Sequence, residues 1–269
     1  MSAIQYGCQT YTWQMSYEKY SQRLDHIMSV VSESGLAGIE AEVCMLGPYN
    51  EDPARLASDL QENGLALGAL CLVCDWLEPQ ETQSEAAEAD RVIAMLQSHF
   101  PDTILALCQM PQTDRSDLRR RQDNCIACCN AIGVRAADSG VRTVMHPNSP
   151  EGSVFRIAED YEILMDGLDT SLVGYAPDAG HIAKGGMDPV AIFKRYASVI
   201  QHVHFKDMEE NGTWAEMGRG CIDFAAIVSG LEANDYRGWI MIEDESPRAE
   251  TDPDTVTRAN GEYLKARFL

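Results

Sequence analysis

Short apolar runs and longer amphipathic segments alternate along the whole chain, and this alternation most restricts its fold. We place strands near 4–9, 38–43, 65–72, 103–108, 141–146, 172–178, 201–204 and 238–243. Helices are predicted near 17–34, 52–63, 83–98, 116–139, 154–167, 188–198, 223–234 and 252–267. Strands that alternate with helices predict a parallel sheet with crossover helices. In a chain of 269 residues this favours one domain, 1–269, folded as a (β/α)8 TIM barrel.

Glycines before the predicted strands support the count of eight units, and the lack of a glycine-rich phosphate loop disfavours an open sheet. Several strands are entered through a glycine, at Gly35, Gly64, Gly140 and Gly238, and glycine suits the left-handed position that ends a helix. An open, doubly wound sheet would carry a glycine-rich phosphate loop after its first strand. The first strand leads instead into Gly7-Cys-Gln-Thr-Tyr-Thr-Trp13, which has no such loop.

Composition excludes several classes of function. A formal net charge of −21 opposes binding to nucleic acid or to an anionic membrane surface, because both carry negative charge. No apolar run approaches the length of a membrane-spanning helix. The start of the chain lacks the pattern of a signal peptide, so the nine cysteines are interpreted as reduced thiols of a cytoplasmic protein.

Four potential metal ligands stand at the C-terminal ends of four successive predicted strands. They are His146, Asp178, His204 and Glu243. In a TIM barrel the C-terminal strand ends meet at one mouth, so side chains distant in sequence converge there. Two imidazoles and two carboxylates suit one divalent ion. We favour Mn²⁺, with Mg²⁺, Co²⁺ and Zn²⁺ as alternatives that the sequence does not separate.

Other histidines and cysteines give weaker signals. His202 and His204 share one strand face, and His204 is nearer the mouth, so His202 is interpreted as a buried residue of the barrel interior. The pairs in Cys71-Leu-Val-Cys74 and Cys125-Ile-Ala-Cys128-Cys129 have metal-like spacing but lack the flanking residues of a zinc ribbon. We expect both to pack in the core or at an interface.

Motifs in the C-terminal half resemble those of the xylose-isomerase-like TIM barrels of the sugar phosphate isomerase/epimerase superfamily. They are Pro177-Asp178-Ala-Gly-His181, His202-Val-His204-Phe-Lys206-Asp207, Gly218-Arg219-Gly220-Cys-Ile-Asp223-Phe224 and Trp239-Ile-Met-Ile-Glu243. The first half of the chain matches in pattern more than in motif. The resemblance indicates the superfamily and leaves the substrate open.

The resemblance also implies a ligand set. Proteins like D-tagatose 3-epimerase hold a metal with Glu, Asp, His and Glu, and their two glutamates move protons. Asp178, His204 and Glu243 match this pattern, whereas His146 stands in the place of the first glutamate. A histidine in this region is similar to inosose dehydratases. Together with the 7–13 segment it is loosely similar to catalytic subunits of bacterial C-glycoside deglycosidases.

The implied reaction begins with loss of a proton beside the carbonyl of a keto-sugar or keto-cyclitol, through a metal-stabilised enediolate. Glu243 is the expected base or proton shuttle, and His146 is a fourth ligand, a second base, or both. An imidazole can take a proton and return it to a departing group. His146 therefore favours β-elimination, by inosose-type dehydration or C–C cleavage of a 3-keto C-glycoside, over ketose isomerisation or epimerisation.

Several further residues are candidates for contact with the substrate. His181 matches a substrate-contacting histidine of the family, and Lys206 and Arg219 are the candidate cations. A surface salt bridge is the alternative for each cation. Trp13 and Trp214 can stack on a ring, with a packing role as the alternative.

The expected partner is a small molecule, and barrels of this class often associate. We therefore expect a homo-oligomer, or a hetero-oligomer with an accessory subunit docked on the 207–221 loop. A metal-binding barrel that is active only with such a partner is the rival hypothesis from another class. The DNA-repair branch of the superfamily is disfavoured, because six histidines supply too few ligands for its multi-metal site and the acidic chain repels DNA.

Overall fold

A computed structural model describes residues 4–269, and its centre is a barrel of parallel strands. The barrel strands are β1 (Gln5–Gln9), β2 (Gly38–Glu42), β3 (Ala66–Cys74), β4 (Ile104–Gln109), β5 (Thr143–Met145), β6 (Val173–Tyr175), β7 (Val203–Phe205) and, after a small hairpin of β8 (Asp207–Met208) and β9 (Trp214–Ala215), β10 (Trp239–Ile242). Their order in the sheet is β6-β5-β4-β3-β2-β1-β10-β7.

The two outer strands of this sheet, β6 and β7, meet and close the barrel. Parallel bridges join Tyr175 to Ile200 and Asp178 to His204. The amide of Gln201 donates to Tyr175 O at 3.0 Å, and that of His204 donates to Pro177 O at 2.9 Å. The predicted eight-stranded TIM barrel is therefore confirmed.

Helices follow the barrel strands, most of them at the predicted places. They are α1 (Tyr11–Gln14), α2 (Tyr17–Tyr20), α3 (Leu24–Glu33), α4 (Pro53–Glu62), α5 (Gln83–His99), α6 (Leu118–Asp138), α7 (Ala158–Gly167), α8 (Ala179–Lys184), α9 (Pro189–Arg195), α10 (Phe224–Ala233), α11 (Pro247–Thr251) and α12 (Pro253–Arg267). Short 3₁₀ turns lie at Val43–Met45, Gly47–Asn50 and Ala197–Val199.

The predicted helix 17–34 is wrong as one element. The chain forms α2 and α3 there, with a break at Arg23, whose amide donates to Tyr20 O at 2.9 Å in a tight i→i−3 turn. Three short helices, α1, α8 and α11, also lie in loops for which no helix was predicted. All three follow the C-terminal ends of barrel strands, so they help to build the mouth.

Glycines end three of the helices as predicted. Gly35, Gly64 and Gly140 have φ angles of +76°, +67° and +73°. Before β10 the prediction is wrong, because Asp235 takes the left-handed position with φ of +55°. Gly238 provides space instead, since a Cβ there would lie 2.5 Å from Tyr236 Oη.

Large side chains from β10 fill the lower part of the barrel interior. A Cβ on Gly68 of β3 would lie 2.2 Å from Met241 Cε and 3.0 Å from Trp239 Cδ2. Since β1 and β2 separate β10 from β3, these side chains must cross the interior to reach Gly68. The lower barrel is thus packed, which leaves the C-terminal mouth for a site.

The described residues bear on the expectations for the cysteines and for membrane-spanning helices. All nine cysteines are free, and Cys125, Cys128 and Cys129 are buried in the core, as expected for packing residues. Across residues 4–269 no helix is both long enough and apolar enough to cross a membrane. Residues 1–3, which belong to the segment inspected for a signal peptide, lie outside the described part.

Candidate active site

The four predicted ligands meet at the mouth of the barrel. His146 directly follows β5, Asp178 follows β6, His204 lies in β7 and Glu243 directly follows β10. One ligand atom from each lies within 4.8 Å of the others, and none of the four exposes more than 5% of its surface. The sequence prediction that these residues converge is therefore correct in geometry.

Backbone contacts orient His146 and Asp178. His146 Nδ1 lies 3.2 Å from Ala176 O, and a carbonyl can only accept, so Nδ1 carries the proton and Nε2 keeps its lone pair. Burial, with the neighbouring His204, lowers the pKa of His146 to about 3. Asp178 caps α8, since its Oδ1 accepts from the His181 amide at 2.7 Å.

His204 lies between two carboxylates. Its Nε2 lies 2.8 Å from Glu40 Oε2, and its Nδ1 lies 3.1 Å from Glu243 Oε2. Burial lowers the pKa of His204, but the two carboxylates outweigh burial and raise it to about 10. His202 Nε2 shares Glu40 at 2.6 Å, so the histidine interpreted as an interior residue is buried and supports this cluster from below.

This set of side chains fits a divalent cation. Asp178 Oδ2 is buried and accepts no hydrogen bond; Lys206 Nζ forms an ion pair with it at 3.8 Å, and a buried polar atom without a hydrogen bond is costly. Burial raises the pKa of Asp178 to about 6, with Lys206 opposing that rise. The donors are imidazole nitrogens and carboxylate oxygens, which suit first-row divalent ions. A cation bound here would give Asp178 Oδ2 the close partner that it lacks.

Lys206 provides the main positive charge beside the four residues. Its Nζ lies 2.6 Å from Glu243 Oε1 and 3.0 Å from His181 Nε2, and it also donates to Glu245. Burial lowers the pKa of Lys206, but these carboxylates outweigh burial and hold it well above its usual value. In turn Lys206 and His204 outweigh burial and hold the pKa of Glu243 well below its usual range. Lys206 is fully buried, so the alternative of a surface salt bridge is wrong.

A cavity of about 310 Å³ opens over this cluster. That volume lies at the lower end of the range for small-molecule sites. It is lined by Gln9, Tyr11, Gln14, Glu42, Cys71, Val73, Cys108, Met110, Pro111, His146, Asn148, Ser149, Pro150, His181, Lys184, Trp214, Glu243 and Glu245. His181 and Trp214 form one wall, with ring centroids 5.7 Å apart. The cleft is therefore polar at its base and has one aromatic wall.

Among the predicted substrate contacts, His181 and Trp214 line this cleft and Lys206 is buried behind His181 and Glu243, whereas Trp13 and Arg219 lie elsewhere. Trp13 is fully buried in α1, where its Nε1 donates to Asp254 Oδ1 at 2.8 Å, so it packs inside the protein. The side chain of Arg219 is 74% exposed and faces Glu216 on the outer surface of the loop. Trp214 is the tryptophan that reaches the cavity.

Three acidic residues of the site were missed by the sequence prediction. Glu40 and Glu42 lie on β2, and Glu245 follows Glu243. Burial raises the pKa of Glu245 to about 7, with Lys206 opposing. The signal in the sequence was the pair of charges within the apolar strand Gly38-Ile-Glu-Ala-Glu42. An isolated charge in a buried strand is a functional indicator, because burial is costly unless the charge is paired.

Comparison with known proteins finds relatives of this chain among inosose dehydratases. Residues 28–267 match the family described as the xylose isomerase-like TIM barrel. The inosose dehydratase of Geobacillus kaustophilus is 35% identical, covering 92% of this chain and 87% of that protein. The inosose dehydratase of Clostridium beijerinckii is 31% identical, and this match spans only about half of each chain, 51% and 52%. Because these relatives are enzymes, the prediction of an enzyme is confirmed.

Solved structures show the same fold at lower identity. A 3-keto-D-glucoside 4-epimerase from E. coli has a TM-score of 0.75 at 15% identity, covering 98% of this chain and 99% of that one. A probable 3-DHS dehydratase from Bacillus anthracis has a TM-score of 0.74 at 14% identity, covering 97% and 98%. At such identities the likeness extends to the fold alone.

Proposed function

The chain belongs to the xylose isomerase-like TIM barrel family, and from this we propose that it is a divalent-metal-dependent lyase acting on a keto-sugar or keto-cyclitol. The reaction is removal of a proton beside the carbonyl, followed by β-elimination of water, as in an inosose dehydratase. One observation carries the proposal: His146, Asp178, His204 and Glu243 converge beside Lys206, and His146 and Glu243 line the cavity above them. One relative that matches along most of both chains is named an inosose dehydratase.

We assign His146, Asp178, His204 and Glu243 as the residues that hold the metal. Oδ2 of Asp178, which accepts no hydrogen bond, and the free Nε2 of His146 support the assignment. His204, whose pKa is about 10 beside its two carboxylates, would bind an ion only after losing the proton that it shares with Glu243. The mixed donor set suits Mn²⁺ first, with Mg²⁺, Co²⁺ and Zn²⁺ as alternatives. When bound, such an ion supplies Lewis-acid charge that stabilises an enediolate.

Glu243 is the proposed base. Its carboxylate stays ionised because Lys206 and His204 flank it, and it lines the cavity where a substrate ring would lie. The charge of Lys206, which is buried and bonded to Glu243, Glu245 and His181, would stabilise from behind them the substrate oxygen that gains negative charge. His181 and Trp214 bound the ring on one side and keep water from that face of the cleft.

Elimination is preferred to epimerisation because of the site's proton-transfer groups. An epimerase must remove a proton from one face of the ring and return it to the other, which requires a group on each face. In the place of the family's first glutamate stands His146, whose Nδ1 proton is directed to Ala176 O. Because Nδ1 faces Ala176 O, Nε2 is the atom left to bind an ion, which favours a role for His146 as a ligand. A role as a second base is the alternative. C–C cleavage of a 3-keto C-glycoside remains the alternative within the lyases.

The rival hypothesis is a metal-binding barrel that acts only with another chain. The expectation of a homo-oligomer or hetero-oligomer stays a prediction. Size-exclusion chromatography of the purified chain, with activity measured across the peak, separates the two hypotheses. Full activity in a peak that contains this chain alone would exclude an obligatory partner.

The experiment that tests the function is a substrate panel of keto-inositols, 3-keto glycosides and ketohexoses, incubated with the Mn²⁺-loaded protein. We expect loss of one water from a keto-inositol, detected by mass and by the absorbance of the enone product. Glu243→Gln is expected to abolish both elimination and exchange of the adjacent C–H in D₂O. Formation of an epimer alone would contradict the lyase assignment, and full activity of a metal-free preparation would contradict the metal.

A further inference from the structure

Glu42 is a cleft carboxyl that has no part in the steps described above. It is the last residue of β2 and lines the same cavity as His146 and Glu243. It also lines a second cavity of about 450 Å³, with Gln14, Cys71, Val73 and Met110 common to both walls. Glu42 therefore stands where the inner cleft opens into the outer one.

The partners of Glu42 differ from those of the other cleft carboxylates. Its Oε2 accepts from Gln14 Nε2 at 2.8 Å and from Cys44 Sγ at 3.5 Å, and both donors are neutral. Glu243 and Glu245, by contrast, both pair with Lys206. Among residues 4–269 no cation forms an ion pair with Glu42.

The electrostatic surroundings of Glu42 disfavour its ionised form. Burial raises the pKa of Glu42 to about 7; Glu243 and Glu40 add to the rise, whereas the hydrogen bond from Gln14 opposes it. The other titratable groups facing it are Tyr11, Cys44, Cys71 and Cys108, all neutral near pH 7 because burial raises their pKa values. A carboxyl in this situation can keep a proton while Glu243 stays ionised.

We propose that Glu42 is the general acid that protonates the departing oxygen during elimination. This role rests on the proposed function. Glu243 takes the proton from the carbon beside the carbonyl, the C–H electron pair forms the C=C bond, and the C–O bond breaks. The oxygen leaves with the electron pair of that bond, takes the proton of Glu42 and departs as water. Glu42 is then reprotonated by water in the outer cavity.

Glu243 and Glu42 would thus each transfer one proton. Their surroundings push the pKa values of the two carboxyls apart, and many active sites divide acid and base roles in this way. General acid catalysis contributes about 10²–10⁴-fold to a rate, and more for a poor leaving group such as hydroxide. A leaving group that departs as a stable anion, such as fluoride, needs no proton. The role of Glu42 therefore depends on the leaving group, whereas that of Glu243 does not.

The test compares Glu42→Gln with the wild-type Mn²⁺-loaded protein on two keto-cyclitols, one with a β-hydroxyl and one with a β-fluoride. For the hydroxyl substrate we expect elimination to slow about 10²–10³-fold, while exchange of the adjacent C–H in D₂O stays within about twofold. For the fluoride substrate we expect a rate near that of the wild type. The matched control is Glu88→Gln, a carboxylate of the outer cavity that is held by Arg91 and should leave both rates unchanged.

Three outcomes would overturn the role of Glu42. The first is wild-type elimination of hydroxide by the variant, and the second is an equal loss of exchange and of both eliminations. The third is wild-type protein that exchanges the proton but never eliminates, which refutes the proposed function itself and is seen without any variant. If circular dichroism shows that Glu42→Gln does not fold, Glu42→Asp replaces it in the test. This variant moves the carboxyl back by one methylene and should show the same dependence on the leaving group.

Discussion

Nζ of Lys206 lies 2.6 Å from Oε1 of Glu243, and the lysine has no contact with solvent. A buried ion pair of this kind is not by itself a source of stability, because removing two charges from water is costly. Its geometry instead keeps ionised the carboxylate that we propose as the base, and it places a cation beside that carboxylate. The pair thus joins the fold to the proposed chemistry.

Removing the cation of this pair should harm both stability and activity. Lys206→Met leaves Glu243 and Glu245 close together without a positive charge between them. We expect the free energy of unfolding of the metal-free protein to fall by about 3–5 kcal/mol, and turnover to fall at least about 100-fold. Urea unfolding and steady-state kinetics measure the two effects. The control is Lys194→Met, since Lys194 is exposed on α9; a Lys206 variant as stable as this control would contradict the prediction.

The metal assignment can be tested with two aspartates that share a structural role. Asp178 caps α8 and Asp188 caps α9, each through Oδ1. Asparagine caps a helix as well as aspartate does, so Asp178→Asn and Asp188→Asn should both keep their caps. Only Asp178→Asn removes a proposed ligand, and we expect it to lose at least about 100-fold in Mn²⁺ affinity.

Metal content after dialysis and the rise of Tm on adding Mn²⁺ provide the measurements. At 100 times its Kd a ligand stabilises the folded protein by about 2.7 kcal/mol. The wild type and Asp188→Asn should show this gain, and Asp178→Asn should not. Equal gains in all three proteins would remove Asp178 from the ligand set.

Much of the site was predictable because a barrel brings strand ends together by topology. His146, Asp178, His204 and Glu243 could be identified without any contact information, since only their place at strand ends mattered. Lys206 and His181 came from motif resemblance, and both line the cluster.

Trp13 and Arg219 were predicted as substrate contacts but lie outside the cleft. The direction of each side chain is set by its loop, and the sequence does not specify that direction. Trp13 belongs to α1, a four-residue helix without a sequence signal, and that helix turns the indole inward to Asp254. Arg219 lies between two glycines, and the loop turns it outward. Glu40 and Glu42 were missed because they interrupt an apolar strand by only one residue each.

The loop over the cleft should depend on Asp207. Its carboxylate accepts from the amides of Met208 and Gly220 at 2.9 Å each and from Gly218 at the same distance. Asp207→Ala leaves these amides without acceptors, and we expect a loss of about 1–3 kcal/mol with faster amide exchange across 207–221. Hydrogen–deuterium exchange by mass spectrometry measures this. Glu210→Ala, an exposed change in the same loop, is the control, and equal protection in the two variants would contradict the prediction.

Glu85 should make the stability of the fold sensitive to acid. Its Oε1 accepts from the amide of Trp76, a buried residue with φ of +44°, and its Oε2 accepts from the amide of Thr82 in a capping box. Burial raises the pKa of Glu85, but these hydrogen bonds outweigh burial and lower it below the ordinary 4.5. A carboxyl with a lowered pKa stabilises the fold above its unfolded-state value, and that contribution is lost as the pH falls through the folded-state value.

We therefore expect Glu85→Gln to lower the free energy of unfolding by about 1 kcal/mol at pH 7, and the difference from wild type to shrink below pH 4.5. Urea unfolding at a series of pH values measures the difference, and Glu78→Gln, an exposed carboxylate in the preceding loop, is the control. The sign of the pH dependence is decisive. A difference that grows on acidification would mean that Glu85 is protonated in the folded protein, and that the turn at Trp76 is held by other contacts.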